Sequence, residues 1–199
     1  LSYFCYLFNN RKKENILTKR FFKLVAKRLW HFRALLMLEF HKNKITLKGA
    51  KIGELSVISR RCIFQGKLSR LKVGRETFIG ESNLMLHGHV DIGDFTVIND
   101  GVKIITASHD IDSKTWSQIS KNTTIGDNVW IATDATILPG VIIHSNAIIG
   151  AGAVVSKNVG FGEVVVGNPA KLVKKRKNEV FCYSPVRFIA PFEAWIGLD

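Results

Sequence analysis

Residues 125–159 read IGDNVWIATDATILPGVIIHSNAIIGAGAVVSKNV, and their spacing decides the fold. Aliphatic residues stand at Ile125, Ile131, Ile137, Ile143, Ile149 and Val155, and four places after each come Val129, Ala135, Val141, Ala147, Ala153 and Val159. A helix places its apolar residues every three or four positions and an isolated strand every two, so a strict six fits neither alone. It fits a coil of short flat faces, each hexad forming one side of a triangular prism with its aliphatic residue inward. Stacked coils then bury an aliphatic column.

The same beat runs upstream through Ile92, Ile98 and Ile104, with Thr96 and Val102 as the small or aliphatic fourth-place residues. Ile52 with Ile58 and Val73 with Ile79 carry it further back, out of phase with each other. Gly53, Gly74, Gly80, Gly93, Gly126 and Gly150 directly follow inward residues, where bends leave little room for a side chain or need unusual backbone angles. A β-sandwich would instead show irregular turn spacing. The prediction is a mainly β chain. Residues 45–166 form a parallel β-helix, residues 1–44 a basic and largely helical front, and residues 167–199 a basic exit followed by a tail.

Between Ile104 and Ile125 the interval is 21 residues, three hexads plus three extra, and Thr106 to Asn122 has no hexad pattern. This stretch reads as an extruded loop, where a rigid scaffold often carries catalytic groups. It opens with Thr106-Ala107-Ser108-His109-Asp110. Histidine suits proton removal from an attacking hydroxyl near neutral pH, with an unperturbed pKa of about 6.5. His109 is therefore the candidate general base. Asp110 and Asp112 are weaker candidates for orienting it, because adjacent side chains on an extended segment point apart.

The repeat resembles the left-handed β-helix of the hexapeptide acyltransferases over roughly residues 45–166. The His109 run, followed by a loop and Thr124-Ile125-Gly126-Asp127-Asn128-Val129-Trp130-Ile131, is similar to the galactoside, maltose and colanic-acid O-acetyltransferase branch. The resemblance implies a left-handed coil, acetyl-CoA as donor, a sugar hydroxyl as acceptor, His109 as base and a homotrimer with sites between subunits. It places Asn83 or His87 near the acceptor, with Trp116 in the loop as a sugar-stacking candidate against the blander reading of a packing residue. It puts Trp130 beside the pantetheine arm and Ala151 at its backbone, with Ser156 and Lys157 nearer the nucleotide. Thr133, on a turn of small residues, leaves room for that arm. Lys171 and Lys174, in Val166-Gly167-Asn168-Pro169-Ala170-Lys171-Leu172-Val173-Lys174-Lys175-Arg176-Lys177, match the phosphate-binding basic residues of the family.

Other classes are less well supported. Leu86-His87-Gly88-His89 raises a γ-carbonic-anhydrase-like zinc site, but the neighbourhood of Lys114 offers no third ligand, so no metal is expected. N-acetylation of an amino sugar or antibiotic is the chemical rival, and a non-catalytic β-helix scaffold the rival of another kind. Cys5, Cys62 and Cys182 are scattered and odd in number, which points to a reducing, cytoplasmic setting rather than a disulfide framework.

The net charge of +13 is concentrated in front: from Arg11 to Lys48 there are twelve Lys or Arg against Glu14 and Glu39. Within that stretch Phe22, Val25, Ala26, Leu29, Phe32, Leu36 and Phe40 share one side of a helix over Phe21–Phe40, with Leu24, Leu35 and Leu38 outside it. Such a helix either caps the open end of the coil, the favoured reading, or rests on the inner face of an anionic membrane. A peripheral role there suits an enzyme of surface or capsular polysaccharide biosynthesis. No nucleic-acid-binding motif is present. Val180 to Asp199, rich in Phe and Pro with Trp195, is expected to pack on the body or on a neighbour.

Overall fold

The computed structural model describes residues 2–14, 18–178, 180–181 and 183–196, so Cys182 and the last three residues of the tail lie outside it. From Lys51 onward the chain winds through short parallel strands that stack into three faces of a prism. Face A stacks Lys51–Ile52, Leu71–Val73, Val90–Ile92, Thr123–Ile125 and Ile142–Ile143. Face B stacks Val57–Ile58, Phe78–Ile79, Val97–Ile98, Trp130–Ile131, Ile148–Ile149 and Glu163–Val166, and Lys171–Lys175 adds an antiparallel strand at its end. Face C stacks Ile63–Gly66, Asn83–Leu86, Lys103–Ile104, Thr136–Ile137 and Val154–Val155.

Register explains why the period of six survives in three dimensions. Ile92 pairs with Ile125 and Ile125 with Ile143 on face A, while Ile98, Ile131 and Ile149 pair in turn on face B. All six are at most 3% exposed and lie in one core with Ile104, Ile137 and Val155. Burying a side chain of this size contributes roughly 2 kcal/mol, so the column is the main stabilising feature of the coil.

At the corner from face A to face B the structure adds something the spacing did not show. Thr96, which the hexad places among small or aliphatic residues, is wholly buried as part of a hydroxyl ladder. Thr77 Oγ1 donates to the Gly93 carbonyl at 2.7 Å and accepts from Thr96 N at 3.1 Å; Thr96 Oγ1 donates to the Gly126 carbonyl at 2.8 Å and accepts from Val129 N at 3.1 Å. Each hydroxyl thus satisfies one donor and one acceptor that the turn leaves open.

The glycines after the inward residues are required for space alone. Gly53, Gly74, Gly80, Gly93, Gly126 and Gly150 do not have positive φ, whereas Leu55, Glu76, Phe95, Asn128, Asp134 and Asn146 do. At Gly74 an added Cβ would lie 2.3 Å from Asp94 Oδ1 and 2.5 Å from the Gly93 carbonyl carbon, because that carboxylate folds over the glycine to accept from Arg75 N at 2.9 Å.

Segments from before and after the coil meet beside its first turns. A helix over Tyr3–Asn9, a long helix over Lys19–Leu47 and a short one over Ala190–Ile196 enclose a second core of Tyr3, Leu7, Leu35, Leu55, Val57, Val186 and Phe192. Arg28 Nη2 donates to the carbonyls of Lys12 and Trp195, and Lys27 pairs with Glu193, so the tail packs on its own body. The long helix caps the coil through Ile45, which joins the aliphatic column.

Its buried residues are Leu35 and Ile45, with Leu38 packed against the second core, rather than the side holding Phe22, Leu29, Leu36 and Phe40. The helix caps the coil as expected, but most of the richer apolar stripe faces outward, with Phe32 at its margin packing against Phe4 and Trp195. The hydrophobic pattern located the helix but could not say which of two apolar sides meets the body.

Two titratable groups near this cap are displaced by burial. The Cys62 thiol, buried in the column, is pushed up to about 12, which leaves it unreactive as a nucleophile. Burial and then the charges of Arg60 and Lys44 hold the His41 imidazole below the ordinary histidine range, with a hydrogen bond to the Ser59 backbone opposing. The unfolded chain therefore takes up this proton first as pH falls. The stability that His41 contributes is complete above about pH 6.5 and is lost as pH drops towards the folded-state value. Thermal melts at pH 7.5 and pH 5 should show the parent losing more Tm than His41→Gln; equal losses would remove His41 from the balance.

Candidate active site

The loop that breaks the repeat is a β-hairpin. Ala107–His109 pairs antiparallel with Gln118–Ser120, so that Ser108 opposes Ile119 and His109 opposes Gln118. Its base is closed by Lys121 N donating to the Thr106 carbonyl at 2.8 Å. Thr106 itself is fully buried. Its hydroxyl donates to the Met85 carbonyl and accepts from His87 N at 3.1 Å and Gly88 N at 2.9 Å, tying the hairpin to the coil below.

On this base His109 is exposed, but it is held in one orientation. Its Nδ1 lies 2.8 Å from the carbonyl oxygen of Trp116, and the two rings stack at 4.8 Å with 15° between planes. A carbonyl oxygen can only accept, so Nδ1 carries the proton in the neutral ring and Nε2 keeps its lone pair. Trp116 adopts a φ of +54° where the hairpin turns, and it remains 65% exposed.

Asp110 does not serve His109. Its Oδ1 accepts from Asp112 N at 3.0 Å, which shapes the turn, and the Asp110 N–H donates to the Ser117 carbonyl at 2.9 Å. The sequence offered Asp110 and Asp112 as orienting groups, yet the loop's own backbone does that work. A backbone carbonyl leaves no mark in side-chain identity, so no signal in the sequence was available to reveal it.

The remaining candidates distribute over the prism according to its topology. His87 sits with the hairpin at the corner from face C to face A, and Ser156 and Lys157 reach the same corner farther along, both exposed. His89 N donates to Asn122 Oδ1 at 2.9 Å beside them. Asn83 stands on the strand that runs to that corner, opposite Lys103, and its Oδ1 is buried with no partner among the described residues.

Thr133 and Ala151 lie at a different corner, from face B to face C, stacked through a 2.9 Å bond from Gly152 N to the Thr133 carbonyl. Both are exposed, and at Gly152 an added Cβ would meet nothing within 4 Å, so this edge is open with accessible backbone. Trp130 lies on face B, lining a hollow of about 370 Å³ with Val97, Arg176, Tyr183, Pro185 and Phe188. The chain's own tail thus borders the hollow that Trp130 faces. Lys171 and Lys174 are exposed on the terminal strand of that face, opposite Val166 and Val164. Within one chain, then, the base and the open small-residue edge occupy two edges of the prism that bound face C. Among the described residues no three His, Cys, Asp or Glu groups converge as a metal site.

The profile of the bacterial transferase hexapeptide (six repeats) family matches residues 122–157. Over 133 residues the chain is 32% identical to the assigned colanic acid biosynthesis acetyltransferase WcaF of Escherichia coli K12, covering 66% of this chain and 72% of that protein. The chain belongs to the hexapeptide-repeat acetyltransferases. Galactoside O-acetyltransferase of Lactococcus lactis is 30% identical over 161 residues, covering 73% of this chain and 77% of that enzyme. The solved maltose O-acetyltransferase of Clostridium difficile superposes with a TM-score of 0.64 at 26% identity, over 78% of this chain and 89% of that one. This hexapeptide-repeat acetyltransferase joins the stacked coil to a helical cap built from segments before and after it.

Proposed function

We propose that this chain transfers an acetyl group from acetyl-CoA to a hydroxyl of a saccharide, with His109 as general base. The observation that carries the reading is the 2.8 Å contact from His109 Nδ1 to the Trp116 carbonyl, which leaves Nε2 as a fixed acceptor on an exposed hairpin. Acetyl-CoA supplies an activated thioester carbonyl. His109 Nε2 accepts the hydroxyl proton as the acceptor oxygen forms its bond to that carbonyl carbon, and returns the proton to the departing sulfur as the carbon–sulfur bond breaks. The protein begins and ends in one protonation state, and no covalent enzyme intermediate is needed.

The open edge at Thr133 and Ala151 leaves room for an extended pantetheine arm, and Ser156, Lys157, Lys171 and Lys174 supply exposed polar and positive groups for the phosphates. His87 lies at the hairpin's corner, which supports it as an acceptor contact, whereas Asn83 begins the face C strand at the end nearer Thr133 and Ala151. That the open edge and the base fall on different edges of one prism supports a site completed by a second copy, in keeping with the homotrimer that the family resemblance implies. The WcaF and galactoside O-acetyltransferase relatives support a saccharide acceptor, and the colanic acid biosynthesis in the name of WcaF supports a role in surface polysaccharide assembly.

Calorimetric titration with acetyl-CoA, followed by a thiol-release screen of sugar acceptors, tests this. Saturable binding with release that depends on a hydroxyl acceptor is expected. Turnover confined to amino sugars would replace O- by N-acetylation, and an absence of saturable heat would leave a scaffold.

A further inference from the structure

The Lys19–Leu47 helix has two apolar sides, and the fold uses one. Leu35 and Ile45 are buried against the body, whereas Phe22, Leu29, Leu36, Phe40 and Leu47 point away from it. At 3.6 residues per turn these five fall within about 40° of one line. Four of them, Phe22, Leu29, Phe40 and Leu47, are between 63% and 88% exposed, and Trp30 on the flank is 84% exposed. A stripe of this kind is more than scattered surface apolarity.

Its charge identifies an occupant. Exposed Arg33 and Lys44 lie on the shoulder of the stripe, with Lys19, Lys23 and Lys48 further round, and none of these five forms an ion pair among the described residues. Glu39 is the one acid in this helix, and it already accepts the Tyr3 N–H at 3.2 Å. A second copy laid on the same stripe would set these cations against each other. An anionic bilayer surface matches both features, since headgroups neutralise the cations while Phe, Leu and Trp side chains enter the interface. No helix among the described residues is long and apolar enough to cross a membrane, so contact is in the plane.

We infer that the outer stripe of this helix docks the protein on an anionic membrane surface, a property independent of the acyl transfer proposed above. The test is co-sedimentation of the full chain with phosphatidylcholine vesicles containing about 30 mol% phosphatidylglycerol, against pure phosphatidylcholine. Binding to the anionic vesicles should be tighter by about tenfold or more. The pair Leu29→Ser/Phe40→Ser should weaken it about tenfold, and Lys23→Glu/Arg33→Glu/Lys44→Glu about a hundredfold, with thermal melts like the parent. For the unaltered chain, brominated lipid should quench tryptophan emission in anionic vesicles only. Equal binding to neutral vesicles, binding unmoved by Leu29→Ser/Phe40→Ser, or a dimer that this pair dissociates would overturn the inference; the second outcome would mean simple polyanion attraction, the third a second copy as occupant.

Discussion

With His109 replaced by alanine, acetyl transfer should fall by about 10²–10⁴ in kcat, while calorimetric affinity for acetyl-CoA stays within about twofold of the parent. The expectation rests on where the proton goes. Nε2 is the one imidazole atom free to accept, because Nδ1 is engaged by the Trp116 carbonyl, and no other imidazole is positioned on the hairpin. Asp110→Asn should cost less than about threefold, since its carboxylate shapes the turn at Asp112 rather than steering the ring. Near-normal turnover in His109→Ala would eliminate this residue as base. A large loss in Asp110→Asn with an unchanged fold would show that the carboxylate, not the carbonyl, tunes the imidazole.

The second large effect should come from a residue that touches no reactant. Thr106→Val keeps side-chain volume but leaves the Met85 carbonyl and the His87 and Gly88 N–H groups without their shared partner at a fully buried point. Leaving buried groups unsatisfied costs roughly 1–3 kcal/mol each, and with partial relaxation a total of about 3 kcal/mol is expected, or about 6–10 °C in Tm. Thr106 also anchors the hairpin three residues before His109. A drop of about tenfold or more in kcat should therefore accompany the lower Tm, at unchanged KM for acetyl-CoA. Thr106→Ser retains the hydroxyl and should restore both. If Thr106→Val melted like the parent, the hairpin would have to be anchored elsewhere; if stability fell with kcat intact, Thr106 would be structural alone.

The spacing of Ile125, Ile131, Ile137, Ile143, Ile149 and Val155 was enough to specify stacked flat faces, because a side chain repeating every six residues can be buried throughout only if each sixth residue meets the same interior. The break after Ile104 likewise marked the hairpin and His109, since a 21-residue interval whose residues from Thr106 to Asn122 lack the hexad pattern has no inward column to keep it in the coil. Identity and interval are properties of the chain, and both were legible in it.

What only the folded molecule decided depends on contacts between coils and between the segments before and after them. Thr77 and Thr96 look like ordinary turn residues until the next coil brings them a carbonyl and an N–H. The Trp116 carbonyl orients His109 through backbone geometry, to which every residue type contributes the same atom. In the long helix, apolar residues occupy both sides, and the body chose the side of Leu35 and Ile45 because the tail and the first coil present matching surfaces there. Periodicity measures how apolar residues are spaced along a chain, whereas the choice of partner requires shapes that exist only after distant segments have come together.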